Sequence, residues 1–598
     1  MAGSHPLSLA GAADPASPRA ATQLERPLRC RCVHDFSALE DVDLPCRDEP
    51  PCRAPGWLRE LLPTVRTDCP GDIRDEDGGA SGAVGQQCED RGFEHPVALG
   101  HSPASAGVGA VAHGLPVARP FCPPLDAAAA GDTELVDRRY RFRGSLTVSH
   151  VISLPGVAGH RAGVIGSGIA PMGDSAGRYA CPVRILVLGS GAREHAIITA
   201  LLREADDHDI IAAPGNAGIA ADVPVIALDP TNPAVVTDFA LENDIELVII
   251  GPEAPLVAGV ADRLRQRGIA VFGPGKAAAE LEGSKTFAKR IMDVAGVPTG
   301  RATRAGSLDE AIAAMDSFGA PYVVKADGLA AGKGVLVTSD RTAAVAHAEY
   351  WIGQGSVLVE EFLDGQEVSL FLLSDGHNVL PLEPAQDYKR LSDNDEGPNT
   401  GGMGAYSPLP WLPVGFVDEV IDTIAIPTVR TLAAEQTPFI GLLYCGLIIT
   451  ESGTRVIEFN ARFGDPETQV VLPRLITPLS GLLFAAASGE LGGLARPEFS
   501  TDVAVTVVLA SEGYPETPIT GRTISGVNAA LAIPGVTVAH AATALSGGAL
   551  VAIGGRVLSI VATGSDFVEA RSRAYLALQA IDLEGGQYRT DIALRVAE

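Results

Sequence analysis

From Val183 onward the chain alternates short apolar runs with amphipathic stretches, and most apolar runs end in a turn bearing glycine or proline. Residues 183–188 form an apolar run that ends in Gly189-Ser190-Gly191-Ala192-Arg193-Glu194-His195, and a helical pattern follows through Leu202. A second short strand is expected at 210–213 and turns at Pro214-Gly215-Asn216-Ala217-Gly218. A helix is expected at 233–243, and a third strand at 246–250 runs into Gly251-Pro252-Glu253-Ala254-Pro255. Strands that alternate with helices in this way predict a parallel, doubly wound sheet whose ligands lie at the carboxyl ends of its strands. The glycine turns are therefore the expected place for a phosphate or a small polar substrate. A dinucleotide is not expected there: Arg193 and Glu194 crowd the third small position, and the second strand ends without a carboxylate to take a ribose hydroxyl. His195 reads as a helix-packing residue rather than a catalyst.

Residues 1–182 carry no sustained period of 2 or 3.6. They are rich in Pro, Gly, Ala and Arg, and they hold eight of the nine cysteines, at irregular spacing. Cys30-Arg31-Cys32 with His34 lacks the paired spacing of a zinc site, and no exported context supports a disulfide framework. The expectation is a disordered extension, or upstream DNA translated from a wrongly chosen start, with Val183 as an internal GTG start.

Composition narrows the class. The 598 residues carry 45 basic and 73 acidic side chains, a net charge of −28, which argues against a nucleic-acid backbone binder. No apolar run is long enough for a membrane span, and no secretory leader is evident, so a cytoplasmic enzyme with about three or four domains is expected. Lysine occurs six times, at Lys276, Lys285, Lys289, Lys325, Lys333 and Lys389, and every other basic residue is Arg. The few lysines retained are candidates for places where Arg's planar fork does not fit.

The middle of the chain carries nucleotide chemistry. Residues 323–335 read strand, glycine-rich loop, strand, without the order of a P-loop. Backbone N–H groups of such a loop can cover phosphates, while Lys325 on the strand supplies a point charge. At 359–367 an apolar strand ends in carboxylates, with Glu360 placed to read an adenine amino group and Glu367 to read ribose hydroxyls. At 455–467 the period of two puts Glu458, Asn460 and Arg462 on one strand face. The carboxylate and the amide oxygen suit Mg²⁺, and Arg462 suits a transferring phosphoryl oxygen.

With those residues in hand, the chain from Val183 onward resembles the phosphoribosylamine–glycine ligase family of ATP-grasp enzymes. The resemblance is carried by Gly189 to Ala196, Pro214 to Gly218 and Gly251 to Leu256. It also rests on Gly397-Pro398-Asn399-Thr400-Gly401-Gly402-Met403-Gly404-Ala405-Tyr406-Ser407-Pro408 and on Arg462-Phe463-Gly464-Asp465-Pro466-Glu467-Thr468-Gln469. It implies an α/β and α+β multidomain fold: a doubly wound parallel domain (183–285), an ATP-grasp domain (286–498) and a small C-terminal domain (499–598). It implies ATP-dependent ligation of glycine to 5-phosphoribosylamine through glycyl phosphate, in purine biosynthesis. By the same resemblance Arg462, Lys325 and Asp387 are catalytic, and Lys285, Lys325, Gly328, Gly332, Lys333, Gly334, Glu360, Phe362 and Glu367 bind ATP. Gly189, Gly191, Asn216, Gly218, Glu253, Asn399, Thr400 and Gly401 bind the other substrates. Glu458 and Asn460 hold Mg²⁺ or Mn²⁺. The partners implied are these small molecules alone, with no nucleic acid and no membrane, on a monomer or weak homodimer.

Three positions depart from the family pattern: Ala192, where a third glycine is common; Tyr388, where His is frequent; and Ala542, where Gly is usual. Two other readings stay open from the residues alone: another carboxylate–amine ligase of the ATP-grasp type, and a non-catalytic nucleotide-binding protein.

Overall fold

The computed structural model describes residues 182–329 and 334–598. The expectation of a disordered extension, and the roles given to Gly332 and Lys333, lie outside the described residues.

The first domain follows the hydrophobic pattern closely. Strands Arg184–Gly189, Asp209–Pro214, Leu247–Ile250 and Ala270–Phe272 form a parallel sheet in the order second, first, third, fourth. Every residue of Leu247–Ile250 is buried, as a strand covered on both faces requires. Each such side chain contributes about 1.5–3 kcal/mol on burial. Helix Ala192–Leu202 follows the first strand directly, and helix Pro233–Glu242 starts with Asn232 accepting from the Ala234 and Val235 N–H groups. The order places the chain reversal, and so the crevice, beside the ends of the first and third strands.

Two antiparallel sheets make up the next part. Strands Ala302–Ala305, Val357–Glu360, Tyr322–Ala326 and Val335–Thr338 lie side by side in that order. Helices Leu308–Phe318 and Arg341–Ile352 complete a separate small core with them around Met315, Val324 and Val359. The second sheet runs Val379–Pro381, Gln366–Asp375, Ile440–Thr450, Gly453–Asn460. Its last pair is bulged: Gly446 faces Glu458 while Leu447 faces Val456, so Ile457 is the extra residue. The strand ends at Asn460, so Glu458 and Asn460 share a strand face and Arg462 lies just beyond it in the following turn.

A five-stranded antiparallel sheet runs Gln386–Asp387, Gly404–Ser407, Val503–Ala510, Arg556–Gly564, Val536–His540. Its first two strands come from the middle of the chain and its last three from the C-terminal part, so the sheet itself crosses residue 499. Buried Arg589 binds the same two segments together. It pairs with Asp395 and Asp591, donates to the Arg390 carbonyl and stacks on Tyr388. Tyr388 in turn accepts at its hydroxyl from the Ala593 N–H. No helix among the described residues is long and apolar enough to cross a membrane.

Candidate active site

A cleft of about 1580 Å³ opens where these parts meet. Of the five described lysines, Lys285, Lys289, Lys325 and Lys389 line it, and Lys276 does not. The fold explains each placement. Ser284 caps the helix Lys285–Ala295, and Asp327 accepts from Ser284 Oγ (3.1 Å), Thr286 Oγ1 (2.6 Å) and the Thr286 N–H (3.2 Å). That clamp fixes the start of the glycine-rich segment to the helix, and Lys285 Nζ donates to the Gly328 carbonyl at 3.1 Å. Lys325, 4% exposed, projects from its strand to Glu360 (3.0 Å) and to the carbonyl of the bulged Ile457 (3.2 Å). Lys289 meets the same Glu360 carboxylate at 3.1 Å, and Lys389 donates to Glu367 at 2.7 Å. Glu360 and Glu367, expected to read adenine and ribose, thus also serve as counter-ions within the cleft.

Glu458 stands among these cations. Burial works against its ionisation, yet Lys389, Lys325, Lys285 and Arg462 outweigh that and hold its carboxyl below the usual range. Burial alone would lower Lys389, but Glu367, Glu458 and Asp387 raise it above its ordinary value. Lys285 moves the other way, lowered chiefly by burial. Asn460 and Arg462 line the same wall; Arg462 Nη2 meets Glu282 at 2.9 Å, Glu253 lies 3.7 Å from Arg462 Nε, and Asn460 Oδ1 accepts from Arg462 Nη2 at 3.3 Å. Asp387 is driven well above its ordinary value by burial and then by Glu467, and its Oδ1 is enclosed with no hydrogen-bond partner.

Gly328, Gly334, Phe362, Glu253, Asn399, Thr400, Gly401, Gly189 and Gly191 also line the cleft. Asn216 and Gly218 do not. The Asn216 side chain is fully used inside the protein: Nδ2 donates to the Ser190 and His540 carbonyls, and Oδ1 accepts from the Gly218 and Ile219 N–H groups. The first glycine turn also differs from a simple anion cradle, because Glu194 fills it. Gly191 N–H donates to Glu194 Oε2 at 2.6 Å, and Arg193 Nε donates to Oε1 at 2.6 Å. A Cβ on Gly189, Gly191 or Gly251 would lie 2.5, 2.9 or 2.1 Å from that side chain, so these glycines make room for the protein's own carboxylate.

Several cleft groups were not singled out from the sequence. Glu282 pairs with Arg462 and accepts from the Ala461 N–H at 2.7 Å. Glu467 and Tyr444 line the cleft and are joined behind it by Ser369: Tyr444 and Ser369 each donate to Glu467 Oε1, at 2.9 and 3.1 Å. Arg556 binds the Gly401 and Asp465 carbonyls, and Tyr514 accepts from the Gly401 N–H. Lysine scarcity was the one signal that pointed at Lys289. The others sit in motifs or strands whose convergence only the tertiary pairing creates.

A cleft lined by lysines and carboxylates together, between two antiparallel sheets and with a doubly wound domain on its rim, has the architecture of the ATP-grasp class. Residues 183–282, 283–468 and 504–595 match the N, ATP-grasp (A) and C domains of phosphoribosylglycinamide synthetase. The phosphoribosylamine–glycine ligase of Leifsonia xyli is 74% identical over 416 residues, 69% of this chain and 100% of its own length. That of Streptomyces coelicolor is 57% identical over 417 residues, with the same coverage. The crystal structure of the Thermotoga maritima phosphoribosylamine–glycine ligase is 34% identical, has a TM-score of 0.59, and is matched over 68% of this chain and 100% of that one. The chain belongs to the phosphoribosylamine–glycine ligase family.

Proposed function

We propose that this chain joins glycine to 5-phosphoribosylamine, with ATP converted to ADP and phosphate, to give glycinamide ribonucleotide. A glycine carboxylate oxygen attacks the γ-phosphorus, the bond to the ADP oxygen breaks, and glycyl phosphate forms. The phosphoribosylamine nitrogen then attacks the glycyl carbonyl and loses a proton, and phosphate leaves with the former carboxylate oxygen. Chemistry of this kind depends on positioning and on charge neutralisation rather than on a protein nucleophile.

Lys285 and Lys325 present their ammonium groups to the ATP phosphates, each held by the local contacts described above. The segment Glu360–Phe362–Glu367 takes the nucleoside end. Arg462, backed by Glu282 and Glu253, faces the transferring phosphoryl group, and Asp387 with Asn399, Thr400 and Gly401 lines the place for glycine. The turns around Gly189 and Gly191 and Glu253 approach phosphoribosylamine, while Asn216 and Gly218 support those turns from behind.

Family membership brings a divalent cation, and the residues present suit one. Glu458 is kept ionised, and Asn460 offers an amide oxygen engaged only by a long bond, a pair of hard donors that leaves phosphate oxygens to complete the coordination. Mg²⁺, or Mn²⁺ in its place, would be held by Glu458 and Asn460 and would neutralise charge on the phosphates. The observation that carries the reading is the 74% identity to a phosphoribosylamine–glycine ligase over that protein's full length. The test is ADP release by the full chain with ATP, phosphoribosylamine and a panel of carboxylates. Release that depends on glycine and on phosphoribosylamine is expected, and equal release with formate or bicarbonate would overturn it.

A further inference from the structure

We infer that His195 is a positioning residue for the amine substrate: through one ring nitrogen it fastens the glycine turns of the first domain to a strand of the C-terminal part. The inference rests on the reaction proposed above and concerns a residue that lies behind the cleft wall rather than in it.

His195 is 5% exposed on the helix that follows the first glycine turn. Its Nδ1 faces the backbone N–H of His540 at 2.8 Å. A backbone N–H only donates, so Nδ1 is the unprotonated nitrogen. The ring proton is then on Nε2, which donates to Asp222 Oδ2 at 2.8 Å. The backbone of the same residue is held again at its carbonyl, which accepts from Asn216 Nδ2 at 2.7 Å. Asn216 Nδ2 reaches the Ser190 carbonyl as well, at 2.9 Å. The backbone N–H and carbonyl of one residue, His540 at the end of strand Val536–His540, thus tie together the helix start, the Pro214–Gly218 turn and the Ser190 turn.

The packing leaves no slack. A Cβ on Gly218 would stand 2.4 Å from His540 Cγ and 2.6 Å from His195 Cε1, so the second turn lies flat against both rings. The Ala217 N–H adds a bond to the Thr543 carbonyl at 3.4 Å. His195, Asn216, Gly218 and His540 do not line the cleft, but Ser190, Gly191 and Pro214 do. The lock therefore acts on the part of the wall that the first domain contributes. The lysines assigned to ATP come from other elements. Loosening the lock should weaken phosphoribosylamine and leave ATP and glycine alone.

The two ring nitrogens can be separated by substitution. In His195→Asn the amide oxygen falls near the place of Nδ1 and still accepts from His540. In His195→Gln the amide falls near Nε2 and serves Asp222 only. Steady-state kinetics of the full chain, varying each substrate in turn, should find the Asn variant within about twofold of wild type. The Gln and Ala variants should raise KM for phosphoribosylamine about five- to tenfold, the scale of one lost uncharged hydrogen bond, with KM for ATP and glycine unmoved. Equal behaviour of Asn and Gln, or a parallel rise of all three KM values, would overturn the inference. Should Gln and Ala fail to fold, the ring ¹⁵N shifts of His195 in the wild-type chain decide: an unprotonated Nδ1 is expected, and a protonated Nδ1, which could not accept from the His540 N–H, would overturn the lock. A wild-type chain without glycine-dependent ADP release would overturn the reaction itself, an outcome distinct from any difference among variants.

Discussion

A lysine in a chain that otherwise writes its cations as arginine is informative only if its surroundings exclude the wider group. Lys325 is the place to test that condition. It is buried and held between Glu360 and the Ile457 carbonyl. Lys325→Arg keeps the charge and changes the shape, and it should cost roughly 2–3 kcal/mol in kcat/KM, the scale of one lost preorganised charge donor. Lys276→Arg, at the exposed start of helix Lys276–Gly283, should match wild type, and steady-state kinetics of the pair checks both. Wild-type values in both variants would mean that scarcity carries no information here. Glu458→Gln tests the centre of the site. Each surrounding cation keeps another partner (Lys325 with Glu360, Lys389 with Glu367, Arg462 with Glu282, Lys285 with the Gly328 carbonyl), so the fold should survive. Turnover should vanish while the melting temperature stays near wild type; normal turnover at ordinary Mg²⁺ would remove Glu458 from the metal assignment. At this scale the sequence exposed side chains that sit in dense motifs, and it hid those that act as partners. Glu194 shows the difference. In the sequence it only crowds the third small position of the turn, whereas the structure shows Gly189, Gly191 and Gly251 leaving room for its carboxylate.

Elements were legible where one period ran long enough. The first domain's strands and the helices after them follow from apolar runs and turns, because a parallel strand buried on both faces leaves a continuous apolar signature. The strands Gln386–Asp387 and Gly404–Ser407 are two and four residues long, too short for any period, and their place is set by pairing with Val503–Ala510. The bulge at Ile457 was equally invisible, since nothing local marks an extra residue in a ladder. Strand Val536–His540 carries a pH-dependent contact. Burial, and then the neighbouring His195, push His540 down to about 4 from an ordinary 6.5, while Asp222 pulls the other way. The folded chain therefore binds fewer protons than the unfolded chain between those values. Stability should fall as pH drops from about 6.5 towards 4, and below that this group adds no further loss. Thermal melts across that range should show a shallower slope for His540→Asn than for wild type. An identical slope would mean that His540 is not depressed.

On the scale of the whole molecule, the cleft is built by convergence rather than by any one segment. Its first lining residue is Gly189 and its last is Val596, and between them they span each of the three matched domains. The five-stranded sheet and the Arg589 contacts splice the middle of the chain to its end, and the His195–His540 contact splices the beginning to that same end. A catalytic unit closed in this way has no obvious need of residues before its first strand. The buried core among the described residues starts at Val183, and the Leifsonia xyli relative is matched over its full length by 416 residues of this chain. A chain whose first native residue is Val183 should therefore fold and retain kcat/KM within about twofold for all three substrates, the range of changes that touch no packed feature. The comparison is made between purified full-length and shortened chains, by melting temperature and by glycine-dependent ADP release. A large loss of either in the shortened chain would assign residues 1–182 a part in the enzyme and would shift the search for their contacts to the rim of the cleft.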